Sequence, residues 1–431
     1  MPPRSVRRKR GSAAVSALCG LLLVGVAATP AQAESTREKQ WFLDAMKADD
    51  IWHISKGAGV TVAVIDSGVD SKNPDLMGQV LPGKDFAQGQ PGNEHTDYDG
   101  HGTGMAGLIA GTGARDGGDG ALGLAPGAKI LPVRLPKSGT AANQAEGDKR
   151  FNAVAPQAIR YAADEHAKVI NISLGAAEGS PQLTAAVKYA YDKGALVFAA
   201  VGNSGDSGNR VEYPAATPGV VGVGAVGKDI RRTTWSEYGA QVDMTAPGVE
   251  MVHACGGKTG LCKTDGTSDA TALASASAAL IWSKHPEWTN NQVLRVMLNT
   301  IGGPTDGAKR NDSIGYGIVR PRVALVNPGD PGPADVYPLP DPPVSAASPA
   351  PAPAKGAAPR AEKAAGNRPS FLLPLGIAAG VGVVGALVGV WSWRRRNRQR
   401  AVIAPASAGS WGPGPGPGWP ERQHPDRTGR Y

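Results

Sequence analysis

The amino-acid sequence predicts an α/β fold with a mostly parallel central sheet, and two observations support this prediction. Short apolar runs alternate with helical segments between residues 59 and 300. Such alternation indicates a parallel sheet that helices cover on both faces. The run at residues 60–65 is also apolar and rich in β-branched residues, which is typical of a strand buried on both sides. Ligands of such folds bind at the carboxyl ends of the strands.

The predicted elements follow one another at short intervals after an N-terminal arm. Strands are predicted at residues 60–65, 129–135, 169–174, 196–201 and 220–226. Helices are predicted at residues 101–110, 155–166, 182–193, 268–284 and 290–300, the last one capped by Thr289. The arm, residues 34–55, has apolar side chains within a polar stretch and is expected to pack on the domain surface.

Both ends of the chain differ from its middle and predict export and anchoring. A basic start, an apolar stretch at 14–28 and an Ala-x-Ala site ending at Ala33 predict a secretory signal peptide over residues 1–33. Residues 370–393 are predicted as a transmembrane helix, because the 23 residues 371–393 carry no charge and would extend roughly 34 Å as a helix.

The charges that flank this segment predict its orientation. Five arginines fall within residues 394–400, so the positive-inside rule places the tail, 394–431, in the cytoplasm and the preceding part outside. The sequence therefore predicts a single-pass protein of the cell membrane. Residues 327–369 are rich in proline and alanine and predict an extended spacer between the folded domain, 56–326, and the membrane.

The net charge of +8 comes from the two ends alone. Residues 34–369 hold 32 Lys and Arg against 35 Asp and Glu, so the exported part carries 32 − 35 = −3. This balance gives no sign of nucleic-acid binding. Past the signal peptide only Cys255 and Cys262 remain, seven apart, which predicts one disulfide-closed loop outside the cell. Two cysteines alone are too few for a zinc site.

Three motifs fall at the ends of predicted elements. Asp66 ends the first strand in Val-Ile-Asp-Ser-Gly, His101 opens a helix in Asp-Gly-His-Gly-Thr, and Ser268 opens another in Gly-Thr-Ser. Each has an ordinary structural explanation as a turn or cap residue. Together, a carboxylate, an imidazole and a hydroxyl are the parts of an acyl-transfer site, in which the carboxylate orients the base and the base activates the nucleophile.

These motifs resemble the three signatures of the subtilisin-like serine peptidases, and the similarity extends over about residues 56–326. The resemblance implies a three-layer fold and a catalytic triad of Asp66, His101 and Ser268. It also implies that Asn203, in Ala-Val-Gly-Asn, forms the oxyanion hole with the Ser268 backbone N–H. The segment Ser173-Leu174-Gly175 resembles the family's substrate-binding strand.

The chain also departs from the family pattern around its serine. Ala272 and Ala276 stand where the family has proline and glycine, and Asp269 directly after the serine is unusual. Asp269 is expected either to disfavour acidic substrate side chains or to perturb His101. No cofactor is required. Structural calcium stays open, since many relatives bind it, although no carboxylate cluster here has compelling ligand spacing.

The short arm, the spacer and the C-terminal anchor together resemble the mycosins, which are membrane-anchored subtilases of type VII secretion systems in actinobacteria. The segment from residue 34 to Asp66 leaves no room for a folded inhibitory pro-domain. We therefore expect an endopeptidase that acts on protein or peptide substrates beside a secretion complex. Two alternatives stay open, namely a general surface subtilase and a structural subunit of such a complex with secondary or lost catalysis.

Overall fold

The computed structural model describes residues 34–137, 141–256 and 259–344. They contain nine strands: β1 (Thr61–Asp66), β2 (Lys84–Asp85), β3 (Lys129–Arg134), β4 (Val169–Ile172), β5 (Leu196–Ala200), β6 (Val220–Val226), β7 (Met244–Pro247), β8 (Met251–Ala254) and β9 (Leu261–Thr264). The first seven form one sheet in the order β2-β3-β1-β4-β5-β6-β7, and all of its pairings are parallel. Strands β8 and β9 form an antiparallel hairpin.

Nine α-helices accompany these strands in the described residues. They are α1 (Thr36–Lys39), α2 (Trp41–Ala45), α3 (Ala48–Trp52), α4 (His101–Ala110), α5 (Gln144–Asp164), α6 (Pro181–Asp192), α7 (Thr267–Lys284), α8 (Asn290–Asn299) and α9 (Pro321–Val326). A short 3-10 helix follows α4 at Arg115–Gly117.

Two apolar cores lie on the two faces of the sheet. Along β1, Val62 and Val64 belong to one core, whereas Ala63 and Ile65 belong to the other, because successive side chains of a strand point to opposite faces. Helices α4, α7 and α8 cover the first face, and α5 and α6 cover the second. This three-layer arrangement confirms the predicted α/β fold with a mostly parallel sheet.

Helix α5 begins eleven residues before its predicted start. The side chain of Asn143 caps it by accepting a hydrogen bond from the Glu146 N–H at 3.0 Å. Pro156 then lies inside the helix, although a proline favours the first turn of a helix and removes a backbone donor further along. The predicted start at residue 155 lies directly before this proline.

The N-terminal arm is part of the core and does not merely cover it. Phe42, Leu43 and Ile51 have no exposed surface. Gln40 is also fully buried, and its side-chain amide donates to the carbonyls of Leu122 and Val252 at 2.8 and 3.0 Å. The arm thereby ties the segment after α4 to the β8–β9 hairpin.

Residues 327–344, the first part of the predicted spacer, lie against the domain. Leu339 is buried in the first core, and the Gly219 N–H donates to the Asp341 carbonyl at 3.0 Å. Arg295 donates to the carbonyls of Pro331 and Pro333 at 2.8 Å each. Backbone carbonyls of a proline-rich segment thus find donors on the folded domain, which the composition alone does not reveal.

Several predicted segments lie outside the described residues, namely the signal peptide (1–33), the rest of the spacer (345–369), the transmembrane helix (370–393) and the tail (394–431). Among the helices that are described, none has both the length and the apolar character needed to cross a membrane.

Candidate active site

Asp66 is the last residue of β1, in the middle of the sheet, and is fully buried. Its Oδ1 accepts a hydrogen bond from the Ser67 N–H at 2.7 Å and lies 2.7 Å from Nδ1 of His101. A buried carboxylate in contact with one ring nitrogen fixes which nitrogen carries the proton. When its ring is neutral, His101 therefore holds its proton on Nδ1 and leaves Nε2 available as a base.

Glycines around His101 allow its helix to begin close to β1. Gly100 precedes the helix with a φ of +87°, in the left-handed region. A Cβ atom at position 102 would collide with the carbonyl oxygen of Gly68. The first turn of α4 can therefore approach the strand end only because it lacks a side chain there. The His101 side chain remains 34% exposed, so its ring can contact both Asp66 and a ligand.

Ser268 is the second residue of α7. Its Oγ donates to the Ser173 carbonyl at 3.3 Å, and the Ser173 hydroxyl donates back to the Ser268 carbonyl at 3.3 Å. The N–H groups of a first helical turn have no partner within the helix. The helix is buried from Thr267 to Trp282, which explains its run of alanine and serine. Small side chains let it pass through the core.

Asn203 follows β5 and is exposed. Its Oδ1 accepts hydrogen bonds from the backbone N–H and the hydroxyl of Thr267, at 3.0 and 3.1 Å. These contacts fix the orientation of the amide, so that its Nδ2 is the end left to face a ligand. Nδ2 donates to no other side chain or carbonyl of the described residues.

Three of the predicted residues, His101, Asn203 and Ser268, line one cleft of about 370 Å³ together with Asp269 and His253. The predicted substrate-binding residues Leu174 and Gly175 line a separate pocket. A larger cavity of about 810 Å³ lies between the arm and residues 302–323. The described residues that line it include no serine, cysteine or histidine. The smaller cleft is therefore the candidate site, because it combines a hydroxyl, an imidazole and an amide donor.

The electrostatics of the cleft favour a charged imidazole. Burial lowers the pKa of His101, but the charge and hydrogen bond of Asp66 and the charges of Asp269 and Asp99 outweigh it, so the pKa rises to about 9. The surrounding carboxylates thus stabilise the imidazolium that forms when this residue takes a proton.

A second polar group, which sequence reasoning missed, lies behind His101. The ring of His253 is buried and packs against Gly104 of α4. Its Nε2 lies 2.8 Å from the Thr264 hydroxyl, which lies 2.6 Å from Oδ1 of Asp269. Only Asp269 was singled out from the sequence. A histidine within the apolar strand β8 was the available signal for the rest.

The loop that closes the β8–β9 hairpin borders the cleft. The structure joins Cys255 and Cys262 by a disulfide, with their Cα atoms 5.7 Å apart, and Cys262 lies on the wall of the cleft. Within the described residues, no group of three or more histidines, cysteines and carboxylates is arranged to hold a metal ion.

Comparisons with known sequences identify the family of the chain. The sequence model of the subtilase family matches residues 57–317. Subtilisin NAT of Bacillus subtilis subsp. natto is 40% identical over 239 residues, which are 55% of this chain and 59% of that protein. M-protease of Shouchella clausii is 35% identical over 268 residues, 62% of this chain and 64% of that protein. The matched part thus spans about three fifths of these relatives' length.

Comparisons with solved structures identify neighbours of similar fold. MycP1 from Mycobacterium smegmatis superposes with a TM-score of 0.60 at 27% identity, covering 72% of this chain and 89% of that one. The MycP3 protease from the type VII (ESX-3) secretion system superposes with a TM-score of 0.56 at 33% identity, covering 66% of this chain and 87% of that one.

Proposed function

The chain belongs to the subtilase family, and from this premise we propose that it is a serine endopeptidase that cleaves proteins or peptides through Asp66, His101 and Ser268. The observation that carries the proposal is the 2.7 Å contact between Asp66 and His101 at a cleft that also holds the Ser268 hydroxyl. A buried carboxylate, an oriented imidazole and a hydroxyl at a helix start are what acyl transfer needs.

The proposed reaction begins with the base. Nε2 of His101 takes the proton of the Ser268 hydroxyl while Oγ forms a bond to the substrate carbonyl carbon. The carbonyl oxygen becomes an oxyanion, which accepts hydrogen bonds from Nδ2 of Asn203 and the N–H of Ser268. His101 then gives its proton to the leaving amine as the C–N bond breaks. A water molecule, deprotonated by His101, hydrolyses the resulting ester and regenerates the hydroxyl.

The Ser268 hydroxyl must turn for this reaction, because in the structure it donates to the Ser173 carbonyl. That contact, at 3.3 Å, is long for an O–H donor. Hydrogen bonds of catalytic groups commonly tighten only in the substrate complex. A substrate backbone lying along residues 173–175 would compete for the same carbonyl and release the hydroxyl toward His101.

A serine-directed fluorophosphonate tests the proposed nucleophile in the full-length protein. We expect a covalent adduct on Ser268, identified by peptide mass spectrometry, and no adduct in Ser268→Ala. The matched control is Ser277→Ala, because Ser277 lies on the same helix and donates to the Leu273 carbonyl instead. The mechanism would be refuted if the folded wild-type protein resists labelling, or if the Ser268→Ala protein still reacts.

We further propose that the enzyme is anchored in the cell membrane beside a type VII secretion complex, with the peptidase domain outside. Support comes from the predicted signal peptide (1–33) and the uncharged segment 371–393, and from the similarity to MycP1 and MycP3. Fractionation of the native host tests this. We expect the full chain in the membrane fraction, resistant to carbonate extraction, and a chain that stops at residue 369 in the medium.

The second candidate function is that of a structural subunit of the secretion complex. It is favoured by the same similarity, since the serine protease MycP1 is an essential component of the type VII (ESX-1) secretion system. Secretion in the native host separates the two. Normal secretion with unprocessed substrate in Ser268→Ala supports the peptidase. Secretion that is lost on deletion but retained in Ser268→Ala, with no change in any secreted protein, supports the structural role.

A further inference from the structure

We propose that Glu212, with the buried carboxylate of Glu237 behind it, forms an acidic subsite that receives a lysine or arginine side chain, carried by the substrate residue that supplies the scissile carbonyl. The proposal rests on the peptidase function proposed above, since it concerns the selection of substrates by the same cleft. Neither glutamate belongs to the triad or the oxyanion hole.

The sheet topology places the substrate side chain. Strands β4 and β5 are parallel neighbours, so the segments 173–176 and 201–204 leave the same edge of the sheet side by side. Ser173 contacts the Ser268 hydroxyl from one segment, and Asn203 reaches the cleft from the other. A carbonyl held between Ser268 and Asn203 therefore directs the side chain of its own residue into the space between these two segments.

Glu212 borders this space from the side of the first segment. A backbone pairing fixes its position, because the N–H groups of Ala176 and Tyr213 each donate to the other's carbonyl at 2.8 Å. A Cβ atom at position 175 would lie 3.0 Å from Oε2 of Glu212. Gly175 is exposed, so at this position no side chain separates the Glu212 carboxylate from a ligand.

Glu237 lies behind the second segment and has an unpaired oxygen. The residue has no exposed surface. Its Oε1 accepts from the Ser204 hydroxyl at 2.6 Å, whereas Oε2 is buried with no hydrogen-bond partner in the described part of the chain. A Cβ atom at position 202 would overlap this carboxylate, so the group lies directly against the backbone beside Asn203. Buried carboxylate oxygens without a partner are rare and costly.

The charges that shift the pKa of Glu212 are both negative. Burial, followed by the charges of Glu237 and Asp148, raises the pKa of Glu212 to about 7. Burial also raises the pKa of Glu237, against the hydrogen bond from Ser204. None of these three carboxylates forms an ion pair with a residue that the structure describes. A cationic side chain would supply the missing charge and donors, whereas an acidic one would be repelled.

The test compares three peptides that differ only at the residue that supplies the scissile carbonyl, with Lys, Leu or Glu in that position. We expect the wild-type, full-length protein to cleave the Lys peptide with a kcat/KM at least tenfold above that of the Leu peptide, and the Glu peptide slowest. In Glu212→Gln the Lys-to-Leu ratio of kcat/KM should fall about tenfold or more. Glu178→Gln is the matched control, because it removes the same charge from an exposed position nearby and should leave the ratio unchanged.

A binding measurement keeps the test independent of turnover. The full-length Ser268→Ala protein, titrated with the fluorescent cation p-aminobenzamidine, should bind it, and adding Glu212→Gln should weaken binding about tenfold while Glu178→Gln does not. Cleavage of the Leu peptide without a Lys preference would overturn the subsite alone. Absence of both cleavage and fluorophosphonate labelling would overturn the peptidase function. Whether or not the protein cleaves peptides, cation binding that is unaffected by Glu212→Gln would overturn the subsite.

Discussion

Oδ1 of Asp269 lies 3.6 Å from Nε2 of His253, and the Thr264 hydroxyl lies within hydrogen-bonding distance of both atoms. Nδ1 of the ring lies 2.8 Å from the Ala254 carbonyl, which can only accept, so Nδ1 carries a proton. One hydroxyl hydrogen cannot be donated to Nε2 and to Asp269 at once. One more proton, on the His253 ring or on the Asp269 carboxylate, is therefore required for both contacts of the Thr264 hydroxyl to be hydrogen bonds.

The pKa values place that proton on the carboxylate. Burial lowers the pKa of His253 to about 4 and raises the pKa of Asp269 to about 6, although the hydrogen bond from Thr264 opposes the rise. Below pH 6 the protonated Asp269 donates to Thr264, which donates to His253. Above pH 6 the group loses a hydrogen bond, and a negative charge forms close to His101.

Asp269→Asn should change how the stability of the protein depends on pH. Because the pKa of Asp269 is raised on folding, its contribution to the free energy of unfolding is fully present below pH 4 and is lost as the pH rises through about 6. Wild type should therefore lose up to about 3 kcal/mol relative to Asp269→Asn between pH 4 and pH 7. Urea denaturation at both pH values measures this, with the exposed Asp335→Asn as the control. Parallel curves for wild type and Asp269→Asn would contradict the assignment.

The activity should be greatest at alkaline pH. His101 acts as a base only when neutral, and its pKa of about 9 means that kcat/KM rises with pH until about 9. Asp269→Asn removes one of the charges that raise this pKa, so the acid limb should move to lower pH. The measurement is kcat/KM from pH 6 to pH 10.5. The quantity compared between the two proteins is the pH at the midpoint of the acid limb, not the maximal kcat/KM. A limb near the ordinary histidine pKa in both proteins would disprove the coupling.

Asn203→Ala should lower kcat about 10²- to 10³-fold with little change in KM, because the amide stabilises the oxyanion of the transition state. Asn203→Asp is the matched variant. Its carboxylate can still accept from Thr267 as Oδ1 does now, but it has no N–H to donate. We expect Asn203→Asp to be at least as slow as Asn203→Ala in single-turnover assays. Recovery of activity in Asn203→Asp would show that the side chain acts by holding Thr267.

Replacement of Cys255 and Cys262 by serine should lower the free energy of unfolding by about 2.5 kcal/mol, the chain-entropy value for a loop of this length. Guanidinium denaturation of both proteins measures the difference. Reductant should destabilise wild type to a similar extent and leave the double variant unaffected. Equal midpoints for the two oxidised proteins would mean that the hairpin is held by its other contacts.

Gln40→Ala should destabilise the folded domain by about 3 kcal/mol, because it leaves partly buried backbone groups of Leu122 and Val252 without their partners. Thermal unfolding of the full chain gives the effect. Gln157→Ala removes an exposed glutamine whose amide donates within helix α5, and it should change the stability by less than about 0.5 kcal/mol. Equal effects of the two substitutions would mean that the arm contributes nothing to the core.

The local pattern of apolar residues was sufficient to predict much of the fold. The strands β1, β4 and β6 are mostly apolar, and each ends within two residues of its predicted end, because strands buried on both faces contain few polar residues. Helix α5 and the arm were harder to predict. Pro156 lies mid-helix and Gln40 lies in the core, since tertiary contacts there outweigh local preference.

The sequence by itself determined which residues of the triad and the oxyanion hole to consider, because Asp66, His101, Asn203 and Ser268 each lie in a short motif at the end of an element. Only the tertiary structure decided what surrounds them. His253 meets Asp269 across a hairpin, and Glu212 reaches Gly175 across a loop. These contacts join residues that no local period relates, and their burial shifts pKa values that the sequence leaves at their ordinary level.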